Sequence, residues 1–220
     1  MLKLLDGIVA FHQNLSQQTQ QTFAKLALGQ SPDALFIGCS DSRVDPRIFA
    51  STDPGDVFVH RNVGNLIPAH DRASPDSGTA AAVEFAVLNL GVSDIIVCGH
   101  SECGAMQALL KGPGAGEPPH LHHWLAHGED SLNHLRSGAF SDSSLSEQNR
   151  LSQVNVLSQR DHLMTYPSIR ERVAAGALQL HGWWFDISTA SVSTFDEEVR
   201  RFIVIDEDVV KKYRTRVTSR

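Results

Sequence analysis

Asp94-Ile95-Ile96-Val97-Cys98-Gly99-His100-Ser101-Glu102-Cys103-Gly104-Ala105 runs from a β-branched apolar stretch, through a turn carrying an imidazole and a thiol, into Gly104 to Lys111, which reads as a helix. A short apolar run bounded by such a turn predicts a buried strand. The same pattern lies upstream, where Ala34 to Gly38 is a strand-like apolar run that ends on Cys39, and Val57 to His60 is another. Gly78 to Leu90 predicts a helix with Val83, Val87 and Leu90 on one face and Gly91 just past its end. Leu178 to Ile187 predicts a fourth strand, with Val192 to Phe195 as its hairpin partner. Strands alternating with helices indicate an α/β fold with a central, mostly parallel sheet flanked by helices.

The flanks are less regular. Residues 2 to 28 read as helical, since Leu4, Leu5, Ile8, Phe11, Leu15, Phe23 and Leu26 recur near helical spacing, and Pro32 limits the continuation. Residues 1–30 are thus a helical N-terminal arm. Gly112 to Pro119 is a loop, 120–136 and 146–164 are helical, and Ser137 to Ser146 separates them. Residues 206–220 read as a charged, partly ordered C-terminal tail, and 1–220 as one domain. With 19 basic and 25 acidic residues the net charge is −6, which argues against a nucleic-acid binder. No run has the apolar length of a membrane span, and Asp6 interrupts the N-terminus too early for a signal peptide. Three cysteines do not make a disulfide scaffold, so a reducing cytoplasm is expected.

Two thiols and an imidazole at the ends of two strands suit zinc, whose catalytic sites keep three protein ligands and one open position. Cys39, His100 and Cys103 meet that count, with H-x-x-C spacing in the second segment. The carboxyl ends of parallel strands share one edge, so the segments can meet across 61 positions. Asp41 can take a proton or hydrogen bond from the occupant of the fourth position. Arg43 can clamp the Asp41 carboxylate bidentately and keep it off the metal. Cys98 points into the core and reads as packing. Three readings stand at this point: a catalytic zinc, a structural or regulatory zinc with Asp41 as permanent fourth ligand, and no metal.

Four co-linear stretches carry a resemblance: Cys39-Ser40-Asp41-Ser42-Arg43-Val44-Asp45-Pro46, His60-Arg61-Asn62-Val63-Gly64-Asn65, Cys98 to Ala105, and His181-Gly182-Trp183. Together they closely resemble the β-class carbonic anhydrases. The resemblance implies reversible hydration of CO2 to bicarbonate and a proton, by attack of zinc-bound hydroxide, with one Zn2+ per subunit on Cys39, His100 and Cys103. It implies Asp41 and Arg43 as the catalytic dyad, and Phe58, Val63 and Phe85 as the apolar wall that holds CO2. It implies that Gln30 reaches a partner's site, that the N-terminal helices pack on a partner subunit, and that a homodimer or higher oligomer forms. Some members close the site through a bicarbonate pocket built on a Trp, an Arg and a Tyr. Here those positions read Phe36, Arg61 and Phe185, so an open zinc is expected.

Other features carry blander expectations. His120, His122, His123, His127 and His134 read as a solvated face of one helix rather than a second metal site. Arg160, Asp161, Glu171 and Arg172 read as solvated helix charges. Of Trp183 and Trp184, one should face the core and the other a subunit interface. Glu102, between two ligands, reads as a supporting or exposed residue. The rival functions are carbonyl sulfide or carbon disulfide hydrolysis on the same scaffold, and a non-catalytic zinc or redox sensor.

Overall fold

The described residues form one six-stranded sheet from β1 (Ala34–Cys39), β2 (Val57–Asn62), β3 (Asp94–His100), β4 (Gln179–Asp186), β5 (Ser191–Asp196) and β6 (Arg201–Val204), in the order β2-β1-β3-β4-β5-β6. The computed structural model describes residues 1–74, 77–112, 118–138 and 142–218. Parts of the loop expected at Gly112 to Pro119, of the Ser-rich stretch 137–146 and of the C-terminal tail lie outside the described residues. Strands β2, β1, β3 and β4 are parallel, and β5 and β6 add an antiparallel edge. From β1 the chain moves to β2 on one side, while β3 pairs on the other. That reversal of order opens a crevice at the carboxyl ends of β1 and β3.

The helices are α1 (Leu2–Gln13), α2 (Gln17–Leu26), α3 (Pro46–Phe49), α4 (Gly78–Glu84), α5 (Gly104–Lys111), α6 (Pro119–Leu125), α7 (Glu129–Arg136), α8 (Glu147–Leu163), α9 (Pro167–Ala174) and α10 (Glu207–Thr218). Leu35, Ile37, Ile95 and Val97 from the central strands pack with Val83, Val87, Val156, Leu163 and Ile169 to form the main core. A second cluster gathers Leu66, Met106, Leu109, Leu125, Leu135 and Leu151 around α5, α6 and α7. On the other sheet face Phe36, Ile96, Cys98 and Phe185 are buried.

Several boundaries differ from the sequence reading. The stretch 2–28 is two helices, because the Ser16 hydroxyl accepts from Thr19 N at 3.0 Å and starts α2 anew. Neither α1 nor α2 buries a residue in this chain. The stretch 120–136 breaks at the 3-10 turn Ala126–Gly128, where glycine gives up helix propensity. Beyond Glu84, α4 widens into a π turn, Phe85–Leu90, which ends on Gly91. The expected tail instead carries α10, with Glu207 and Asp208 at its positive N-terminal end. Helix α9, with Pro167 in its first turn, gives bounds to the helix on which Glu171 and Arg172 were expected, while the edge strand β6 carries no signal in the sequence reading.

The element that organises the crevice is α8. Gln148, Ser152, Asn155, Gln159 and His162 recur at steps of four and three, so they share a face. That face is turned inward, not to solvent, and each side chain bonds backbone. Gln148 Nε2 donates to Cys103 O at 2.9 Å, Ser152 Oγ to His100 O at 2.7 Å and Asn155 Nδ2 to Gly64 O at 3.0 Å. Gln159 Oε1 accepts from Ile67 N at 2.6 Å, and His162 Nδ1 donates to Ile67 O at 2.6 Å. The close approach depends on Gly99, where an added Cβ would sit 2.8 Å from Val156 Cγ2 and 3.1 Å from Ser152 O.

Fully buried Gln159 also donates to His127 O and Asn155 Oδ1. Gln159→Ala would strand these buried groups, so it is expected to cost about 3 kcal/mol of stability. Urea unfolding checks this, with a lowered midpoint at unchanged slope.

Candidate metal centre

Cys39 ends β1 and His100 ends β3, and the parallel register that pairs Gly38 with Cys98 brings these ends side by side. Cys103 follows on the turn into α5. The ligand atoms of Cys39, His100 and Cys103 all lie within 4.8 Å of one another, and all three residues are buried. His100 Nδ1 faces Ser101 O at 2.9 Å, the geometry of a donor. That leaves the Nε2 lone pair facing the sulfurs, buried and without a hydrogen-bond partner. An orphaned imidazole nitrogen beside two thiols is the donor set zinc selects, so these residues fit that ion.

The sulfurs are already polarised. The Cys103 thiol first, then the His100 imidazole and after it the Gly64 N–H at 3.4 Å, hold Cys39 well below the usual thiol range against its burial, while the Cys39 contact and burial push Cys103 up. Burial raises Cys98, which is fully buried, as expected of a packing residue.

The turn between the donors is braced on every side. Glu102 sits at φ 55, a left-handed conformation that a non-glycine residue seldom adopts. Its N–H donates to Asn149 Oδ1 at 2.8 Å, and its carboxylate accepts from Asn149 Nδ2 at 3.1 Å. Glu102 is therefore a supporting residue of the turn. Ser101 N–H donates to Phe185 O, and Ser101 Oγ to Asp186 Oδ1.

Beside the donors, Arg43 Nε donates to Asp41 Oδ1 at 2.9 Å and Arg43 Nη2 to Asp41 Oδ2 at 2.7 Å. The same Nη2 reaches Glu102 O at 3.1 Å. Asp41 Oδ2 lies 3.9 Å from His100 Nε2, so the carboxylate borders the donor triad while engaged elsewhere. The Arg43 guanidinium holds the Asp41 carboxyl far below the usual carboxylate range.

Comparison with known proteins bears on this geometry. The family profile described as Carbonic anhydrase matches residues 34–192. A carbonic anhydrase of Pseudomonas aeruginosa is 38% identical over 207 residues, covering 94% of this chain and 93% of that one. The solved β-carbonic anhydrase CcaA superposes with a TM-score of 0.86 at 36% identity, covering 94% of this chain and 92% of that one. The chain belongs to the carbonic anhydrase family, in its β class. A tetrameric β-carbonic anhydrase of Sordaria macrospora is likewise 36% identical, with a TM-score of 0.73 over 87% of this chain and 94% of that one.

Against this family's expected site the chain is only partly assembled. Val63 precedes Gly64, whose N–H meets Cys39, so it adjoins the donors. Phe58 pairs with Leu35, four register positions before Asn62 meets Cys39, or about 13 Å along the strand. Phe85 packs against Phe58 with ring centroids 5.8 Å apart. The apolar wall is therefore not one cluster within a single chain. Gln30 is exposed ahead of β1, at the sheet edge opposite Cys39.

The other expectations are settled by position. Arg61 spends its guanidinium on Cys39 O at 2.9 Å and Asp41 O at 2.7 Å. Phe36 and Phe185 flank Phe49, with the Phe49 and Phe185 rings stacked at 4.8 Å. Trp184 is the buried member of its pair and donates to Ser152 Oγ at 3.1 Å. His120, His122 and His123 are exposed, as expected, but His127 is half-buried and His134 bonds Ser158. Arg160 and Arg172 are not simply solvated: Arg160 pairs with Glu197 at 2.8 Å, and Arg172 caps Val87 O at 2.7 Å. Ser152, Asn149 and Trp124, whose Nε1 donates to Val63 O at 2.7 Å, are site residues that the sequence reading missed. Only the spacing of polar residues along α8 signalled Ser152.

Arg43→Met should return Asp41 upward toward its ordinary value of 3.8. Because the folded value is depressed, the pair's stabilisation is complete above 3.8 and fades as pH falls through the folded value. Side-chain carboxyl NMR titration of the wild type and the variant reads this directly. An unchanged Asp41 titration would contradict it.

Proposed function

We propose that this protein hydrates CO2 reversibly to bicarbonate and a proton, at a zinc held by Cys39, His100 and Cys103. The observation that carries the reading is the buried donor triad bordered by a carboxylate that a guanidinium holds aside. Bound there, zinc supplies a Lewis acid that lowers the pKa of a water in its open position toward neutrality.

The chain's own residues do the rest. Two thiolates offset the charge of Zn2+, and Ser101 O fixes the His100 tautomer that presents Nε2. Asp41, kept ionised by Arg43, accepts a hydrogen bond from the nucleophile and orients its lone pair. CO2 has no net dipole, so an apolar wall suits it better than polar groups. Val63 supplies the part of that wall beside the donors. Phe58, Phe85 and Gln30 are too far along the sheet to complete it in the same chain, so a second copy supplies them.

An oligomer is supported by the arm as well. Leu4, Leu5, Ile8 and Phe11 are half or more exposed on α1, an apolar row larger than a monomer usually leaves open. The likeness to a tetrameric relative points the same way. Free cysteines required as thiolates suit a reducing cytoplasm. Among the described residues no helix is long and apolar enough to cross a membrane.

The site is read as open. Phenyl rings at Phe36 and Phe185 donate no hydrogen bonds to a bicarbonate, and Arg61 is already engaged on two carbonyls. A sensor needs a fourth protein ligand, and the Arg43 clamp on Asp41 counts against one.

Metal analysis with stopped-flow CO2 hydration tests the reading, with carbonyl sulfide as the competing substrate. One zinc per chain and hydration well above buffer are expected. Cys39→Ala should lose the metal. Asp41→Asn should keep zinc and lose roughly 100-fold in kcat/KM. Hydration no faster than buffer, or carbonyl sulfide turned over in preference, would overturn it.

A further inference from the structure

The peptide bond between Val63 and Gly64 is engaged at both ends. Its carbonyl accepts from Trp124 Nε1 at 2.7 Å, and its N–H donates to Cys39 Sγ at 3.4 Å. Among the described residues no peptide is cis, so this one is trans and its C=O and N–H point in opposite directions. An indole pulling on the oxygen therefore aims the hydrogen at the sulfur. It also polarises the amide and strengthens the second bond.

The neighbouring groups leave this peptide few other ways to settle. Gly64 has φ 81, and an added Cβ would lie 2.8 Å from Ala105 Cβ. The following peptide is held separately, by Asn155 Nδ2 on Gly64 O. Leu66 N–H is held by Asn62 Oδ1 at 2.8 Å. Trp124 is thus the side chain that sets the rotation of the Val63–Gly64 plane itself. It comes from α6, an element that supplies none of the donors, and it packs half-buried against the cluster under that helix.

We propose that Trp124 is a positioning residue for the metal centre: its indole N–H orients the Val63–Gly64 amide to donate to the Cys39 sulfur, and the same contact fixes Val63 beside the donors. An N–H on a thiolate withdraws charge from the sulfur and lowers its lone-pair energy. Cys39 is then a weaker electron donor than it would be without this bond, and an ion held there would keep more of its Lewis acidity. This inference rests on Cys39 being a metal ligand.

Cobalt(II) in place of zinc gives a readout independent of turnover, the thiolate-to-metal charge-transfer band. Trp124→Phe removes the donor, and site-specific replacement of Trp124 by its sulfur isostere β-(3-benzothienyl)alanine removes it while keeping the ring shape. Both should move the band to longer wavelength. Both should also speed hydrogen exchange at Gly64 N–H roughly 5- to 10-fold, with Leu66 N–H unmoved. Trp183→Phe, on the opposite sheet face, should change neither. If Trp124→Phe does not fold, the isostere alone decides. A normal wild-type band that stays in place in the folded variants overturns the role of Trp124. A wild-type protein with no thiolate band at all contradicts the metal reading itself, and this inference with it.

Discussion

Arg43 binds both oxygens of Asp41, and the consequences of that pairing run through the whole centre. Three donors are enough to hold zinc, but a fourth protein ligand would close it. Asp41 is close enough to be that ligand, since its Oδ2 lies 3.9 Å from His100 Nε2. A bidentate guanidinium, anchored further on Glu102 O, gives the carboxylate a competing partner with better geometry than a free side chain would have. The cost is a constrained turn. Glu102 stands in a left-handed conformation where its carbonyl meets Arg43, and Asn149 holds it there from α8.

Helix α8 is how the fold meets that cost. A helix that buries polar side chains must find each of them a partner. Here the partners are the backbone groups of the strand ends and loops that form the centre, at Cys103, His100, Gly64 and Ile67. Stability and site geometry are thus written into the same residues. Loosening α8 would unpair buried groups and release the donors together. Phe58, Phe85 and Gln30 lie toward the other end of the strands, and Leu4, Leu5, Ile8 and Phe11 of α1 are half or more exposed.

Much of the centre was legible because its chemistry is local. Cys39, Asp41 and Arg43 lie within five positions, and His100 and Cys103 within four, each group directly after an apolar run. A thiol or imidazole at the end of a buried strand is rare enough to stand out. The sheet was legible for the same reason, since β1 and β3 are nearly continuous apolar runs. What stayed hidden depends on tertiary context. Polar residues at helical spacing look the same whether they face water or backbone carbonyls, so the inward stripe of α8 read as an ordinary helix face. Arg172 read as a solvated charge because nothing in its neighbourhood along the chain announces Val87 O. Trp124 lies 61 positions from Val63 and carries no periodic signal. The distance of Phe58 from Cys39 followed from strand register, which the sequence does not state. The charges of α10 masked a helix as a tail.

The central claim is that the fourth position stays open because Arg43 keeps Asp41. A crystal structure of the zinc-loaded protein near neutral pH tests it most directly. The account predicts both Asp41 oxygens still on Arg43, with Cys39, His100 and Cys103 on the metal and solvent in the remaining position. An Asp41 oxygen bonded to zinc at about 2.0 Å, with the Arg43 pairing broken, would contradict it.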